Sequence, residues 1–400
     1  MTYDLQTLKN MYDLEDIESI ENCKSALKLL NNLAKDHEIT KPSPYYAIIA
    51  MDGDKMGEWL TGRRAPDYQW LFHPDVRNDS LIDMVPVDYQ RPLGPALQLG
   101  MSDSLKNYAL YQVRKIVEKD HPGKLIYAGG DDVLAFVPVE HLFEIMEALY
   151  INFQGTDQGF NEDEDSIIRL MGGKRPTLYE DEKSHQGMSA SMGILILHHS
   201  YPLYHALQQA QEVLKKTAKE KIGRDAFAIR LMRRSGEFTE TGFKFTSSEQ
   251  AKPCDMLHQM AKIFELFTED KLSTRIAYRM SKQLWAHGNN ATIAQSIKEA
   301  RQSEFKRLIK QHIQKDNIRS LFKDIKDIKK RKERIKEYTD EQVKKVMALF
   351  HRINAYIDEQ NDSQKNNKNN EPLAMDGWET TADLLMILRF MAGKGDNYVA

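Results

Sequence analysis

Cysteine is nearly missing from this sequence. Its 400 residues hold two, Cys23 and Cys254, far apart in the chain, which excludes a disulfide framework and a cysteine-built zinc site and makes a reducing compartment the expected setting. Long apolar runs are missing too: no uncharged stretch approaches the roughly 18 to 20 residues that a membrane-crossing helix needs. The opening residues, Met-Thr-Tyr-Asp-Leu-Gln, show no basic stretch followed by an apolar one, so no secretory leader is expected. These absences together predict a soluble, cytoplasmic protein with no membrane partner. A surplus of positive charge is lacking as well. Lys and Arg number 56 against 59 Asp and Glu, for a formal net charge of −3, which excludes a generally basic nucleic-acid coat and leaves any RNA contact to a local face. No internal repeat is visible.

What is there divides by pattern, and a chain of 400 residues is comfortable as two domains. Residues 1–44 read as a helical lead-in, with Ala26, Leu29, Leu30 and Leu33 at helical spacing before Lys41-Pro42-Ser43-Pro44 breaks it. Residues 45–244 read as an α+β domain. It starts with a strand, Tyr45 to Met51, and a helix beginning near Lys55. A stretch rich in proline, aspartate and arginine at 62–95 reads as an inserted surface loop, and a helix follows over 99–119. Two strand-like runs, Lys124 to Ala128 and Val133 to Val137, flank a glycine pair, and a helix covers 140–153. The acidic segment 154–186, with Glu162-Asp163-Glu164-Asp165, reads as a second insertion, a solvated loop. A strand over Gly187 to Leu197, a helix over 202–221 and a final strand, Ala226 to Met232, complete the domain. The core of this order is βαββαβ, the ferredoxin-like arrangement.

Residues 245–400 read as an all-α domain, with few glycines and no convincing strand. Within it, 301–345 carries about twice as many basic as acidic residues, including Lys329-Lys330-Arg331-Lys332. A solvated helix face is the ordinary reading of such a run, and a phosphate-backbone contact surface the alternative. Residues 358–372, rich in Asn, Gln, Asp and Lys, read as a disordered loop, and an apolar helix, Ala382 to Met391, stops at Gly393.

The acidic residues sit where a sheet would bring them together. Asp52-Gly53-Asp54 ends the first strand, and Gly129-Gly130-Asp131-Asp132 lies between the next two. Two glycines between strand-like runs predict a tight hairpin with its carboxylates at the tip, because glycine reaches positive φ without steric cost. Clustered carboxylates need a cation, and hard oxygen ligands favour Mg2+ or Mn2+ bridging to substrate phosphates. Nucleotidyl transfer uses two such ions about 4 Å apart, one carboxylate bridging them and a second from a neighbouring strand completing the cage. Asp52 is the candidate for the first role and Asp131 or Asp132 for the second. Gly53 would let the backbone approach a triphosphate, and a helix starting near Lys55 would aim free N–H groups at it. Lys219 and Arg224 sit where a phosphate tail could be clamped. Lys215 and Lys216 read equally well as a solvated last helical turn, and His198-His199 as a surface pair.

Residues 127 to 135, Tyr-Ala-Gly-Gly-Asp-Asp-Val-Leu-Ala, with Met-Asp-Gly-Asp-Lys-Met-Gly at 51 to 57, resemble the second palm domain of the large polymerase-cyclase subunit of type III CRISPR effector complexes, in the Cmr branch. Ser189-Ala190-Ser191-Met192-Gly193-Ile194, Ala218-Lys219 and Gly223-Arg224-Asp225-Ala226 resemble that family's later palm motifs. Residues 245–400 resemble its helical C-terminal domain more loosely. The resemblance implies synthesis of cyclic oligoadenylate from ATP, switched on by target RNA. It implies Asp52, Asp131 and Asp132 as catalytic residues and, with Gly53, as the metal site. Gly53, Asp54, Gly130, Ser191, Lys219 and Arg224 would contact the nucleotide. Implied partners are other Cmr-type subunits, guide RNA and target RNA.

The family's HD nuclease domain, first palm and cysteine zinc motif are not visible, and about 44 residues ahead of the first strand leave them no room. DNase activity is therefore not expected, and a second palm is expected from another chain or a second copy. Two alternatives stay open. A diguanylate-cyclase-like enzyme shares the palm and the double glycine, but typically shows Glu-Phe where this chain has Asp132-Val133, and no Arg-x-x-Asp inhibitory motif lies just ahead of the glycines. A silent assembly scaffold would have no physical need for the acids. A template-dependent polymerase is disfavoured because no separate fingers or thumb are visible.

Overall fold

Strand β1 (Tyr45–Gly53) is apolar at every position from Ala47 to Met51. A strand with two apolar faces belongs inside a sheet that is covered on both sides. The computed structural model places it there. Five further strands, β2 (Lys124–Gly129), β3 (Asp132–Pro138), β4 (Ala190–His198), β5 (Ala226–Met232) and β6 (Phe238–Lys244), complete a sheet of order β2-β3-β1-β4-β5-β6. β1 pairs antiparallel with both β3 and β4, while β4 and β5 are parallel and joined through a helix. The structure describes residues 43–63, 93–154, 188–246, 253–283, 286, 295–365 and 376–394, with six helical positions between Asn22 and Asn32. The chain forms two compact units, Met1–Pro44 and Tyr45–Ala400.

Period two along β1 sorts its side chains. Ala47, Ile49 and Met51 join one apolar cluster, while Ile48 and Ala50 join another on the opposite face. The first face is covered by α2 (Pro95–Asn107, continued by i→i+5 turns over Tyr108–Val113 and Lys115–Asp120) and α3 (Leu142–Gln154). A short helix, α1 (Met56–Leu60), follows β1 directly. The second face is covered by α4 (Leu203–Glu212, continued by i→i+5 turns over Val213–Lys221), whose Ala206, Ala210 and Leu214 meet Leu195 and Leu197 of β4. This helix lies almost on the strand. A Cβ at Gly193 would fall 2.4 Å from the Leu214 nitrogen and 2.7 Å from the Ala210 carbonyl, so only glycine admits the contact.

The ferredoxin-like βαββαβ frame is therefore present within an α+β sheet, extended by two strands. Only one of those two was expected. β6 is new: its sequence, FTETGFK, shows no alternation of buried and exposed positions, and its antiparallel pairing with β5 is what makes it a strand.

The described residues after Lys244 are helical apart from turns and an isolated bridge between Leu272 and Ile313. They form α5 (Asp255–Thr268), α6 (Arg275–Ser281), α7 (Gln295–His312), α8 (Lys315–Ser320), α9 (Ile328–Lys365) and α10 (Gly377–Arg389, continued over Phe390–Lys394). Their apolar faces join the same core as the first face of the sheet, with Trp378 fully buried and donating to the Met280 carbonyl at 3.0 Å. Asp376 caps α10 through the Trp378 N–H and pairs with buried Arg301 at 3.1 Å. The loop expected over 358–372 is corrected in part. α9 runs to Lys365, because half of the polar residues over 358–365, Glu359, Gln360, Gln364 and Lys365, are good helix formers and none is proline. The rest of that loop, most of both expected insertions and the acidic run at 162 to 165 lie outside the described residues.

Candidate functional site

The carboxylates converge because three neighbouring strands end at one edge. Asp52 lies opposite Ser191 at the end of β1. It continues the Ile48 and Ala50 side of the strand, the side on which α4 packs. There the Lys219 ammonium meets it, 2.7 Å from Asp52 Oδ1, 3.2 Å from the Gly53 carbonyl and 3.9 Å from Asp54 Oδ1. On the other side, β2 and β3 close with Gly129 opposite Asp132, which leaves Gly130 and Asp131 as a two-residue turn with Gly130 at φ +64°. Asp131 is thus the hairpin tip, and Asp132 the first residue of β3. The tip presses on β1: a Cβ at Gly53 would lie 2.8 Å from Asp131 Cβ and 2.9 Å from its Oδ2.

Asp54 plays a different part from its neighbours. It is 3% exposed, and its carboxylate accepts from Ser191 Oγ at 2.8 Å, Ser189 Oγ at 3.0 Å and the Asp225 backbone N–H at 2.8 Å. Its own N–H donates to the Ser189 carbonyl at 2.8 Å. These bonds tie the end of β1 to the start of β4 and to the turn after α4. That turn runs through three left-handed residues, Gly223 (φ 95°), Arg224 (φ 65°) and Asp225 (φ 47°). Two of them carry side chains that resist this conformation, so the turn persists only because its surroundings hold it. Lys244 donates to the Gly223 carbonyl at 2.8 Å and to that of Arg224, Arg224 N–H donates to Ala218 at 3.1 Å, and Tyr150 donates to Asp225.

Burial is the first reason that Asp131 and Asp132 are both held above the usual carboxylate range. The charge of Asp52 adds to it for both, and the charge of Asp132 adds to it for Asp131, while Lys219 opposes. Asp225 is likewise pushed up by burial, and burial pushes the Lys244 ammonium down. The oxygen donors suit a hard divalent cation, carboxylates from β1 and the hairpin with the Gly53 carbonyl, and the Lys219 ammonium supplies the positive charge among them. Among the described residues the oxygens of Asp52, Asp131 and Asp132 do not all close to within 4.8 Å of one another, as expected of like charges sharing one ammonium.

Six of the expected site residues, Asp52, Gly53, Gly130, Asp131, Asp132 and Lys219, thus meet at one edge of the sheet. Asp54 and Ser191, expected to face the nucleotide, are spent on each other in the interior. Arg224 is exposed and tied in through its backbone. Lys216 pairs with Glu212 at 2.8 Å, whereas Lys215 is near enough to lower the pKa of Asp132. The helix after Lys55 has five residues, too short for the dipole expected of it. Sequence reasoning missed Ser189, Asp225, Tyr150 and Lys244. For Ser189 the signal was available, since two serines spaced i, i+2 beside a strand face the same side.

The residues of this edge fall within a stretch that is similar to known proteins. Residues 45–228 match the family described as Cas10/Cmr2, second palm domain. The chain is 33% identical over 231 residues to CRISPR system Cmr subunit Cmr2 of Pyrococcus furiosus, over 58% of this chain and 23% of that protein. It is 21% identical over 275 residues to CRISPR system CMR subunit Cmr2 of Saccharolobus solfataricus, over 48% and 25%. The alignments therefore span about a quarter of each relative's length. Among solved structures, a chain of the type III-B Cmr-beta complex bound to cognate target RNA aligns with a TM-score of 0.46 and 16% identity, over 72% of this chain and 36% of that one. Residues 45–228, which carry β1 with Asp52 and the Gly-Gly-Asp-Asp hairpin, are therefore the part of the chain that is similar to the second palm domain of Cas10/Cmr2.

Proposed function

We propose that the chain works within a type III-B RNA-guided effector, where its palm binds ATP with two divalent ions and joins adenylates into cyclic oligoadenylate when target RNA is captured. The observation that carries this reading is the meeting of Asp52 with the Asp131–Asp132 hairpin tip around Lys219. Asp52, Asp131, Asp132 and the Gly53 carbonyl would hold Mg2+ or Mn2+. When bound, the ions would neutralise charge growing on the α-phosphate and the leaving pyrophosphate.

The chain's own residues do the positioning. Asp54 fixes the end of β1 against β4, and with it the direction of Asp52. Gly53 lets the hairpin tip approach the strand. Lys219, which pairs with Asp52 at 2.7 Å, would turn to a phosphate oxygen of the nucleotide, and Arg224 stands on the turn beyond it. One hairpin offers one nucleotide site, and joining two nucleotides needs a donor and an acceptor. A second palm, from another chain or a second copy, is therefore part of the proposal.

The test is incubation with ATP or GTP and Mn2+, alone and with Cmr-type partners, guide RNA and target RNA, with products resolved by mass spectrometry. Oligoadenylate from the full assembly, lost on Asp131→Ala with Asp132→Ala, is the expected result. A cyclic dinucleotide from GTP would support the diguanylate-cyclase-like alternative. No product from a competent assembly would leave the scaffold reading.

A further inference from the structure

At the opposite end of the β2–β3 hairpin, His121, His141 and Glu144 each offer a ligand atom, all within 4.8 Å of one another. His121 follows α2 directly and precedes β2 by three residues. His141 ends a short 3₁₀ turn after β3, and Glu144 lies in the first turn of α3. His141 and Glu144 are three apart, which stacks them on one side of that turn. Glu144 Oε2 is 3.1 Å from His141 Nδ1 and 3.7 Å from His121 Nδ1, and the two rings are 5.5 Å apart. Ligand atoms at about 2.0–2.1 Å from a tetrahedral zinc are separated by about 3.4 Å. The two histidine–carboxylate separations, 3.1 and 3.7 Å, bracket that edge.

We propose that these three residues form a second metal site, for zinc or a similar imidazole-seeking transition ion, separate in place and chemistry from the carboxylate edge. Two imidazoles and one carboxylate select zinc-type ions over magnesium or calcium. His121 is largely shielded while Glu144 faces solvent, which leaves a fourth position to water. The ion would join the residues flanking β2 and β3, and so clamp the base of the hairpin whose tip is Asp131. β3 has seven residues, so base and tip are on the order of 20 Å apart. The clamp would stiffen the hairpin without touching a nucleotide.

The experiment uses the full chain without a histidine tag, stripped by chelation and titrated with zinc by calorimetry, with cobalt as an optical probe. Expected are one saturable zinc site, the visible bands of tetrahedral cobalt, and a melting temperature raised by a few degrees. Glu144→Gln, at an exposed position, should weaken binding about tenfold or more, and His121→Ala with His141→Ala should abolish it. Asp131→Ala with Asp132→Ala should leave zinc stoichiometry unchanged. Circular dichroism confirms that each variant is folded. No saturable binding by the wild-type chain, or binding that survives in the folded histidine double variant, would overturn the site and reduce the cluster to histidine–carboxylate hydrogen bonds.

Discussion

Replacing Asp54 by asparagine separates a brace from a metal ligand. The aspartate accepts three hydrogen bonds, from Ser191 Oγ, Ser189 Oγ and the Asp225 N–H, at a position that is 3% exposed. Asparagine has one acceptor oxygen and one NH2 group. With its oxygen kept toward Ser189 and Asp225, the NH2 faces Ser191, whose hydroxyl can turn to accept, and Lys219, which sits 3.9 Å from that corner and cannot. Flipped, the NH2 meets the Asp225 N–H, donor against donor. A hydrogen bond to a charged group contributes about 1.5–3 kcal/mol and a neutral one about 0.5–1.5, so about 1 kcal/mol is lost per bond, about 3 kcal/mol in all. At about 2.1 cal/mol/K per residue, and with 400 residues, the melting temperature should fall by about 4 °C. Ser191→Ala should give about a third of that. Urea unfolding and calorimetric melting read the loss. A variant that melts like the wild type but no longer binds Mn2+ would refute the reasoning and make Asp54 a ligand.

Gly53→Ala places a Cβ 2.8 Å from that of Asp131 and must push the hairpin tip away. Product formation should fall on the order of a hundredfold with little change in melting, and activity within twofold would show that the tip need not touch β1. Lys219→Met removes the ammonium from Asp52, so the rise in melting temperature produced by Mn2+ should be larger in the variant than in the wild type; an equal rise would mean that lysine and metal do not compete. Burial, helped by Glu379 and opposed by Arg233, raises Asp383 from 3.8 to about 6. Its folded value lies above its unfolded one, so its charge destabilises the fold fully above pH 6, and the penalty fades as pH falls toward 4. Two pKa units are about 3 kcal/mol at most, and solvent screening at a part-exposed site reduces this to about 1 kcal/mol. Asp383→Asn should therefore stabilise at pH 8 and be neutral near pH 4, checked by melts across that range; a gain independent of pH would point to packing instead.

The sheet was legible because local pattern and topology agree. The all-apolar Ala47 to Met51 run, bounded by Pro44 and Gly53, reads as a central strand, and the glycine pair between two strand runs as a hairpin. β6 was harder to read, since Phe238-Thr-Glu-Thr-Gly mixes strand formers with an acid and a glycine, and its pairing with β5 decides it. At the site, the acids that face solvent were legible from their place at strand ends. The interior role of Asp54 was not, because it depends on a left-handed turn at 223 to 225 that comes within 2.8 Å of it from 171 residues away. The exchange of Ser191 from ligand contact to brace has the same cause.

The most direct test of the central claim is Mn2+ binding by the full chain in the presence of ATP, followed by electron paramagnetic resonance. Binding that needs ATP and is lost in Asp52→Asn and in Asp131→Asn with Asp132→Asn, while Glu144→Gln leaves it intact, is the predicted result. Undiminished Mn2+ binding in folded variants of all three aspartates would contradict the account and place the metal centre elsewhere.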